Sequence, residues 1–205
     1  MNHIYGLAPL PFGSLSFWAF AIQNNVRLYS SFRFEKSSLM NRIVLNNQGR
    51  PLIISLPIVG GRNSKLPLDD SIIASYGWND DLIRGLETLY QNAPYFDYFG
   101  KEVIDFIKNF PKGSLGEFNT ASIQKMIELA PPLQSVFTTP QDGISNKEVD
   151  LLSIKTLGKK NIEVDEYHNI PTNWSGEELN HLSILDLLFF DAPHLSNILR
   201  NIKFL

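Results

Sequence analysis

The side chains that could do chemistry in this 205-residue chain form a few small groups. Lys36, Asn41 and Arg42 stand close together in sequence. Arginine offers a planar fork that matches phosphate or carboxylate, and lysine adds a point charge beside it. Anion binding fits that pattern, and so does an ion pair or cap at the head of a hairpin. Ser183 and Asp186 have the S-x-x-D spacing of a capping box, in which the serine accepts from a backbone N–H and the acid reaches back to the cap. Losing such a cap costs about 1 kcal/mol. The same polar pair inside an apolar segment also suits ligand binding. His168 and His181 lie well inside the chain, and neither belongs to an H-x-x-x-H or H-x-E pattern, so no metal site is expected. No serine stands in G-x-S-x-G, which leaves an esterase triad without support. There is no cysteine, which excludes disulfides, thiolate metal sites and a cysteine nucleophile. These residues name no reaction, catalytic group or cofactor.

Charge is distributed unevenly around them. Residues 1–68 carry seven Lys/Arg (Arg27, Arg33, Lys36, Arg42, Arg50, Arg62, Lys65) against Glu35, a net +6. The remainder carries 11 Lys/Arg against 20 acids, a net −9, which gives −3 overall. A basic half could collect an anionic small molecule of the nucleotide-sugar type, or simply attract the acidic half. An acidic balance overall argues against nucleic acid. A 43% apolar and 12% aromatic composition is enough to bury a core and discounts disorder.

The elements that must position these residues read as an α/β fold in a single domain spanning residues 1–205. Ile4–Leu7 predicts a strand. Gly13-Ser14 opens a helix to about Asn24, apolar on most sides and therefore buried. From Val26 to Glu35, apolar and polar residues alternate, predicting a strand with one solvated face. Strand, helix and strand in that order favour a small, Rossmann-like, right-handed βαβ start. Ile43–Leu45 and Leu52–Leu56 predict a β-hairpin joined through Asn46–Pro51, with its second arm covered on both faces. The Gly60–Pro67 stretch is a basic surface loop without P-loop spacing.

A helical half follows. Helices are predicted from a cap at Asn79 or Asp80 to Tyr90, over Lys101–Phe110, and from a cap at Asn119 or Thr120 to Leu129. Between the first two, Tyr95, Phe96, Tyr98 and Phe99 form an aromatic cluster around Asp97 that could serve a homo-oligomer interface. Ser135–Thr138 and Ile162–Tyr167 predict strands, and residues 140–161 a loop. Trp174 is expected to pack inward, and His181–Ala192 to form an apolar helix. Pro9, Pro11 and Gly13 interrupt the apolar run 7–22, and no Lys or Arg precedes it. It reads as core rather than a signal peptide, and no stretch reaches membrane-spanning length, so a cytoplasmic location is expected.

With those elements placed, several motifs resemble the WbqC-like protein family. Leu7–Trp18 (LAPLPFGSLSFW) is similar to the family's aromatic-Gly-Pro opening. Phe34–Ile43 (FEKSSLMNRI) resembles a Lys-containing pattern ending in Asn-Arg, with Lys36, Asn41 and Arg42 in register. Arg50–Ile58 (RPLIISLPI) is similar to the following strand. Trp78 with Ala93–Phe99 (APYFDYF), and His181–Pro193 (HLSILDLLFFDAP), resemble later family motifs. Residues 112–160 or so carry little of the resemblance.

The resemblance implies a setting in surface-polysaccharide biosynthesis and a transferase acting on activated sugars. It implies ligand-binding roles for Lys36, Asn41, Arg42, Ser183 and Asp186. The chain departs from the family pattern where polar residues are usual: Ser30 and Ser31 (or Phe32), Leu82 in place of a histidine, and Ser16 in place of a glutamine. Leucine cannot move a proton, so no mechanism can rest on that position. Two expectations result. An enzyme brings Lys36, Asn41, Arg42 and Asp186 to one cleft. A catalytically degenerate interaction or regulatory protein scatters them, or fills the cleft with Phe32, Leu82 and Phe190.

Overall fold

Parallel pairing of two short strands through a buried helix starts the fold in the computed structural model, which describes residues 4–36, 38–60, 66–134, 136–137, 149–151, 162–164, 167 and 174–205. Strands β1 (Ile4–Leu7) and β2 (Asn25–Leu28) flank helix α1 (Leu15–Gln23). Ser14 is the N-cap of α1 in an extended conformation, and its Oγ accepts from the Phe17 N–H. Leu15 through Ala21 are all buried, as expected of a helix apolar on every side. Strand β5 (Val149–Leu151) pairs in parallel on the other side of β1, giving the order β2-β1-β5. The βαβ unit is therefore present. Beyond these strands the described residues add only a single parallel bridge, Phe137 to Val26, and no Rossmann-like sheet forms among them.

The turn from β1 into α1 is conformationally demanding. Phe12 and Gly13 both have positive φ, 58° and 78°. Such a backbone is rare for a bulky side chain, so tertiary contacts must hold it. The buried Phe12 ring meets Phe106 and Phe118 edge-on, and its N–H donates to Ser122 Oγ at 2.8 Å. The Trp18 indole N–H donates to Phe12 O, also at 2.8 Å.

Strand β2 ends at Leu28, well short of the expected Glu35. The alternating residues beyond it serve a different neighbour. Leu68 N–H donates to Phe32 O and Phe34 N–H to Leu66 O, so this segment pairs with the chain before Leu68 instead of extending the parallel sheet.

The hairpin forms as β3 (Arg42–Asn47) and β4 (Arg50–Ser55), antiparallel and in full register. Its connection is tighter than the expected six residues. Only Gln48 and Gly49 turn, both at positive φ (49° and 86°), the two-residue geometry that matches strand twist. Asn46 Oδ1 accepts from the Gly49 N–H and braces the turn. The second arm is covered on one face only. Ile54 is buried while Ile53, on the opposite face of the same strand, is 50% exposed.

Helices α2 (Trp78–Tyr90), α3 (Phe96–Asn109) and α4 (Leu115–Leu129) pack as the helical half. Their starts correct the expectations. Gly77, not Asn79 or Asp80, caps α2. Helix α3 begins early enough to absorb the aromatic cluster, leaving Tyr98 73% exposed. Ser114 caps α4 with a full capping box to Glu117. Asn119, expected as that cap, is wholly buried inside the helix. Its Nδ2 donates to Pro9 O and Met40 O, tying the β1–α1 loop to the head of the hairpin.

Of the predicted strand Ser135–Thr138, Phe137 makes a single parallel bridge to Val26, and Ser135 and Thr138 lie outside the described residues. Strand β6 (Ile162–Glu163) is shorter than predicted and pairs antiparallel with β7 (Lys203–Phe204). His168, the loop residues 61–65 and most of residues 138–161 also lie outside the described set. Trp174 packs inward as expected.

The predicted closing helix His181–Ala192 forms as α6 (Ile184–Asp191), beginning three residues late; a short helix α5 (Gly176–His181) precedes it and α7 (Leu195–Asn201) follows. The break at Leu182-Ser183 has a cause: there the backbone pairs with β3, and Ser183 N–H donates to Val44 O at 2.9 Å. The buried side chains form one contiguous cluster drawn from both halves. Among the described residues, no helix is long and apolar enough to cross a membrane.

Candidate functional site

Arg42 and Ser183, far apart in sequence, meet. Arg42 opens β3, half-buried, and Ser183 is the N-cap of α6. Together with Ser14 and His181 they line one crevice. Leu15 N–H donates to Leu182 O at 2.8 Å and Ile184 N–H to Gly13 O at 3.1 Å, so the N-termini of α1 and α6 abut. Two helix N-termini and a guanidinium create a positive potential, and no carboxylate lines the crevice. Its interior is about 10 Å³, roughly the room for one water.

The other candidates lie apart from it. Lys36 is exposed on a turn and does not line the crevice. The Asn41 Nδ2 donates to Leu56 O at 2.8 Å, a tether across the foot of the hairpin. Ser183 is a cap as expected, its Oγ accepting from Leu185 N–H at 3.4 Å, but the capping box is not completed. Asp186 turns inward instead, because two tyrosine hydroxyls offer it better partners than the cap does.

Asp186 is wholly buried and accepts from Tyr90 Oη at 2.9 Å and from Tyr167 Oη. Tyr90 Oη in turn accepts from the Asn46 N–H of β3. Burial, then the Asp186 charge and hydrogen bond, push the Tyr90 phenol well above its ordinary value of 10.0, while the Asn46 N–H pulls the other way. The protonated phenol therefore stabilises the folded chain fully below pH 10. That contribution drains as pH rises past about 10, where the unfolded chain ionises and the folded one keeps its proton. Tyr90→Phe should cost about 1–3 kcal/mol at neutral pH, by stranding a carboxylate oxygen and an N–H. In urea denaturation its deficit relative to the parent should narrow between about pH 8 and about pH 11.

A roomier site sits at the head of α2. A cleft of about 340 Å³ is lined by Trp78, Asn79, Asp80, Phe110, Lys112 and Gly113 among others. The half-buried Trp78 indole meets Phe118 edge-on at 5.0 Å, and Phe118 meets Phe110 edge-on at the same distance. The two aromatic rings of the lining, Trp78 and Phe110, are thus both braced from behind by Phe118. Gly77 has no side chain to satisfy the first-turn amides of α2. Lys112 and Asp80 are exposed and engaged in no ion pair. Trp78 enters the family resemblance as a motif residue and carries no site expectation from the sequence. The available signal was a tryptophan held between glycine and a run of polar residues, where helical periodicity gives no reason to bury it.

The positions that depart from the family pattern have structural employment. Leu82 is fully buried core, Ser16 Oγ donates to Asn180 O at 2.9 Å, and Ser30 Oγ donates to Asp69 at 2.7 Å. Phe32 packs against the core, and Phe190 packs edge-on to Tyr90.

Against known proteins, no curated sequence and no solved structure matches the chain. A family model described as the WbqC-like protein family matches residues 17–130, more than half of the chain. The matched segment holds Lys36, Asn41, Arg42 and every residue lining the Trp78 cleft, and ends before Ser183 and Asp186. The chain belongs to the WbqC-like protein family.

Proposed function

We propose that this WbqC-like protein binds an activated sugar, with the sugar ring seated in the Trp78 cleft. The observation that carries the reading is the cleft itself, whose roughly 340 Å³ lies within the range of small-molecule sites. A sugar ring presents a C–H face that packs on an indole, and hydroxyls that pair with groups such as Asn79 and Asp80 at the rim. Lys112 supplies a cation for an activating phosphate. The family resemblance supports a place in surface-polysaccharide biosynthesis, in the cytoplasm, where a group is transferred to the bound sugar.

A second reading, recognition without catalysis in a regulatory protein, is favoured by one observation. Asp186 is committed to two tyrosines inside the core, and Leu82 is core, so neither serves a reacting group.

The test is calorimetric titration with a panel of nucleotide-sugars and the corresponding free sugars. The parent should bind at least one nucleotide-sugar. Trp78→Ala should weaken that binding by about tenfold or more, the range for a lost aromatic platform. Arg42→Gln should leave it unchanged. Absence of binding across the panel, or equal affinity in Trp78→Ala, contradicts the proposal.

A further inference from the structure

Arg27 is the one buried cation among the described residues, at 8% exposure. It takes part in no ion pair, and its Nε has no hydrogen-bond partner. Burying a guanidinium without a counter-charge is costly, and proteins seldom leave one so unless something else compensates it. Its position is informative. Arg27 is the next-to-last residue of β2, in register with Gly6 of β1. Side chains alternate along a strand, so Arg27 and Asn25 project from one face, and Val26 and its partner Tyr5 from the other. The Tyr5 face is the one packed on α1, where the Tyr5 and Phe20 rings meet at 5.1 Å.

On the opposite face, Gly6 stands in register with Arg27 and puts no side chain beside it. Asn25 adds a second unsatisfied group there: its Oδ1 is buried with no partner. The amide turned over would present Nδ2, a donor, at that point. Arg27, next to last in β2, lies toward the carboxyl end of the parallel pair, the side on which open α/β sheets take ligands, and Asn25 precedes it on the same face at the start of the strand.

We infer that Arg27, with Asn25 beside it, binds an oxyanion, the phosphate or carboxylate of a small molecule, on the sheet face away from α1. The guanidinium fork supplies paired N–H donors to two oxygens of the anion, and the Asn25 amide takes a third polar contact. Of the described basic residues in positions 1–68, Arg27 is the one whose side chain the fold buries, and the anion restores what burial took away. This inference stands independently of the Trp78 cleft, whose lining does not include Arg27.

The test uses the full chain in thermal denaturation at constant ionic strength, with chloride, inorganic phosphate or acetate as the anion. The parent should gain several degrees in phosphate or in acetate over chloride, the responding arm distinguishing a phosphoryl from a carboxyl ligand. Arg27→Met should melt at or above the parent in chloride, because an uncompensated buried charge has been replaced by an apolar chain of similar length. It should show no response to either anion. Arg27→Lys keeps the charge without the fork and should need about tenfold more anion for the same shift. No response in the parent, an undiminished response in Arg27→Met, or an unchanged concentration dependence in Arg27→Lys each overturns the inference.

Discussion

Asp186→Ala should lower the unfolding free energy by about 2–6 kcal/mol, the cost of leaving two buried donors without an acceptor. The carboxylate is wholly buried and receives the hydroxyls of Tyr90 and Tyr167. Hydrogen bonds to a charged group contribute about 1.5–3 kcal/mol each. The truncation removes the acceptor for both hydroxyls at once, at a position with no solvent exposure. It also disconnects three elements, since Tyr90 ends α2 and also meets Asn46 of β3, while Asp186 lies in α6. A total stability of about 5–15 kcal/mol makes such a loss a large fraction of the whole. In urea denaturation the midpoint should fall steeply. Asp186→Asn, which keeps one acceptor oxygen, should recover part of it. A loss under about 1 kcal/mol would mean that the tyrosines find other partners.

Gly13→Ala should be nearly as damaging, at about 2–5 kcal/mol, from two additive causes. Gly13 has φ +78°, where an L side chain is strained by about 1–2 kcal/mol. A Cβ there would also collide with the Trp18 Nε1 edge and with Phe17. Neither ring can yield: both are buried, and the Trp18 N–H is committed to Phe12 O. Overpacking a filled core costs about 1–3 kcal/mol more. The Gly13 carbonyl accepts from Ile184 N–H, so the disturbance reaches the junction of α1 and α6. Thermal denaturation of Gly13→Ala beside Gly60→Ala makes the comparison clean. Gly60 shares the positive φ, at 69°, but has open space around its Cβ position, so it should lose only the backbone part.

These two positions also show what could be read from the chain. Helix α1 was legible because a buried apolar run follows a serine cap, and the hairpin because two β-prone runs flank a turn-rich stretch. The left-handed Phe12-Gly13 turn was not, since nothing local favours positive φ at phenylalanine; the contacts to Phe106, Phe118 and Ser122 impose it. Strand β2 was overextended because period-two alternation reports a half-covered strand without saying which neighbour covers it. The closing helix starts later than its apolar run suggests because Leu182-Ser183 pair with Val44, a contact distant in sequence.

The candidate residues divided the same way. Arg42 meets Ser183 at one crevice, a pairing no local pattern announces, and the expected convergence of Lys36, Asn41, Arg42 and Asp186 is not formed. Asp186, one turn from Ser183, turns inward because Tyr90 and Tyr167 are there to receive it. Lys36 and Asn41 are separated from that crevice by exposure and by a backbone tether. The Trp78 cleft depends on the approach of α2 to the turn between α3 and α4, which no single stretch of sequence encodes.

The most direct test of the sugar-binding account is amide chemical-shift mapping of the isotopically labelled chain titrated with a nucleotide-sugar that binds it. The account predicts perturbations concentrated at Gly77–Asp80 and at Lys112-Gly113, with Arg42 and Ser183 unmoved. Perturbations centred on Arg42, His181 and Ser183, with Trp78 silent, would contradict it.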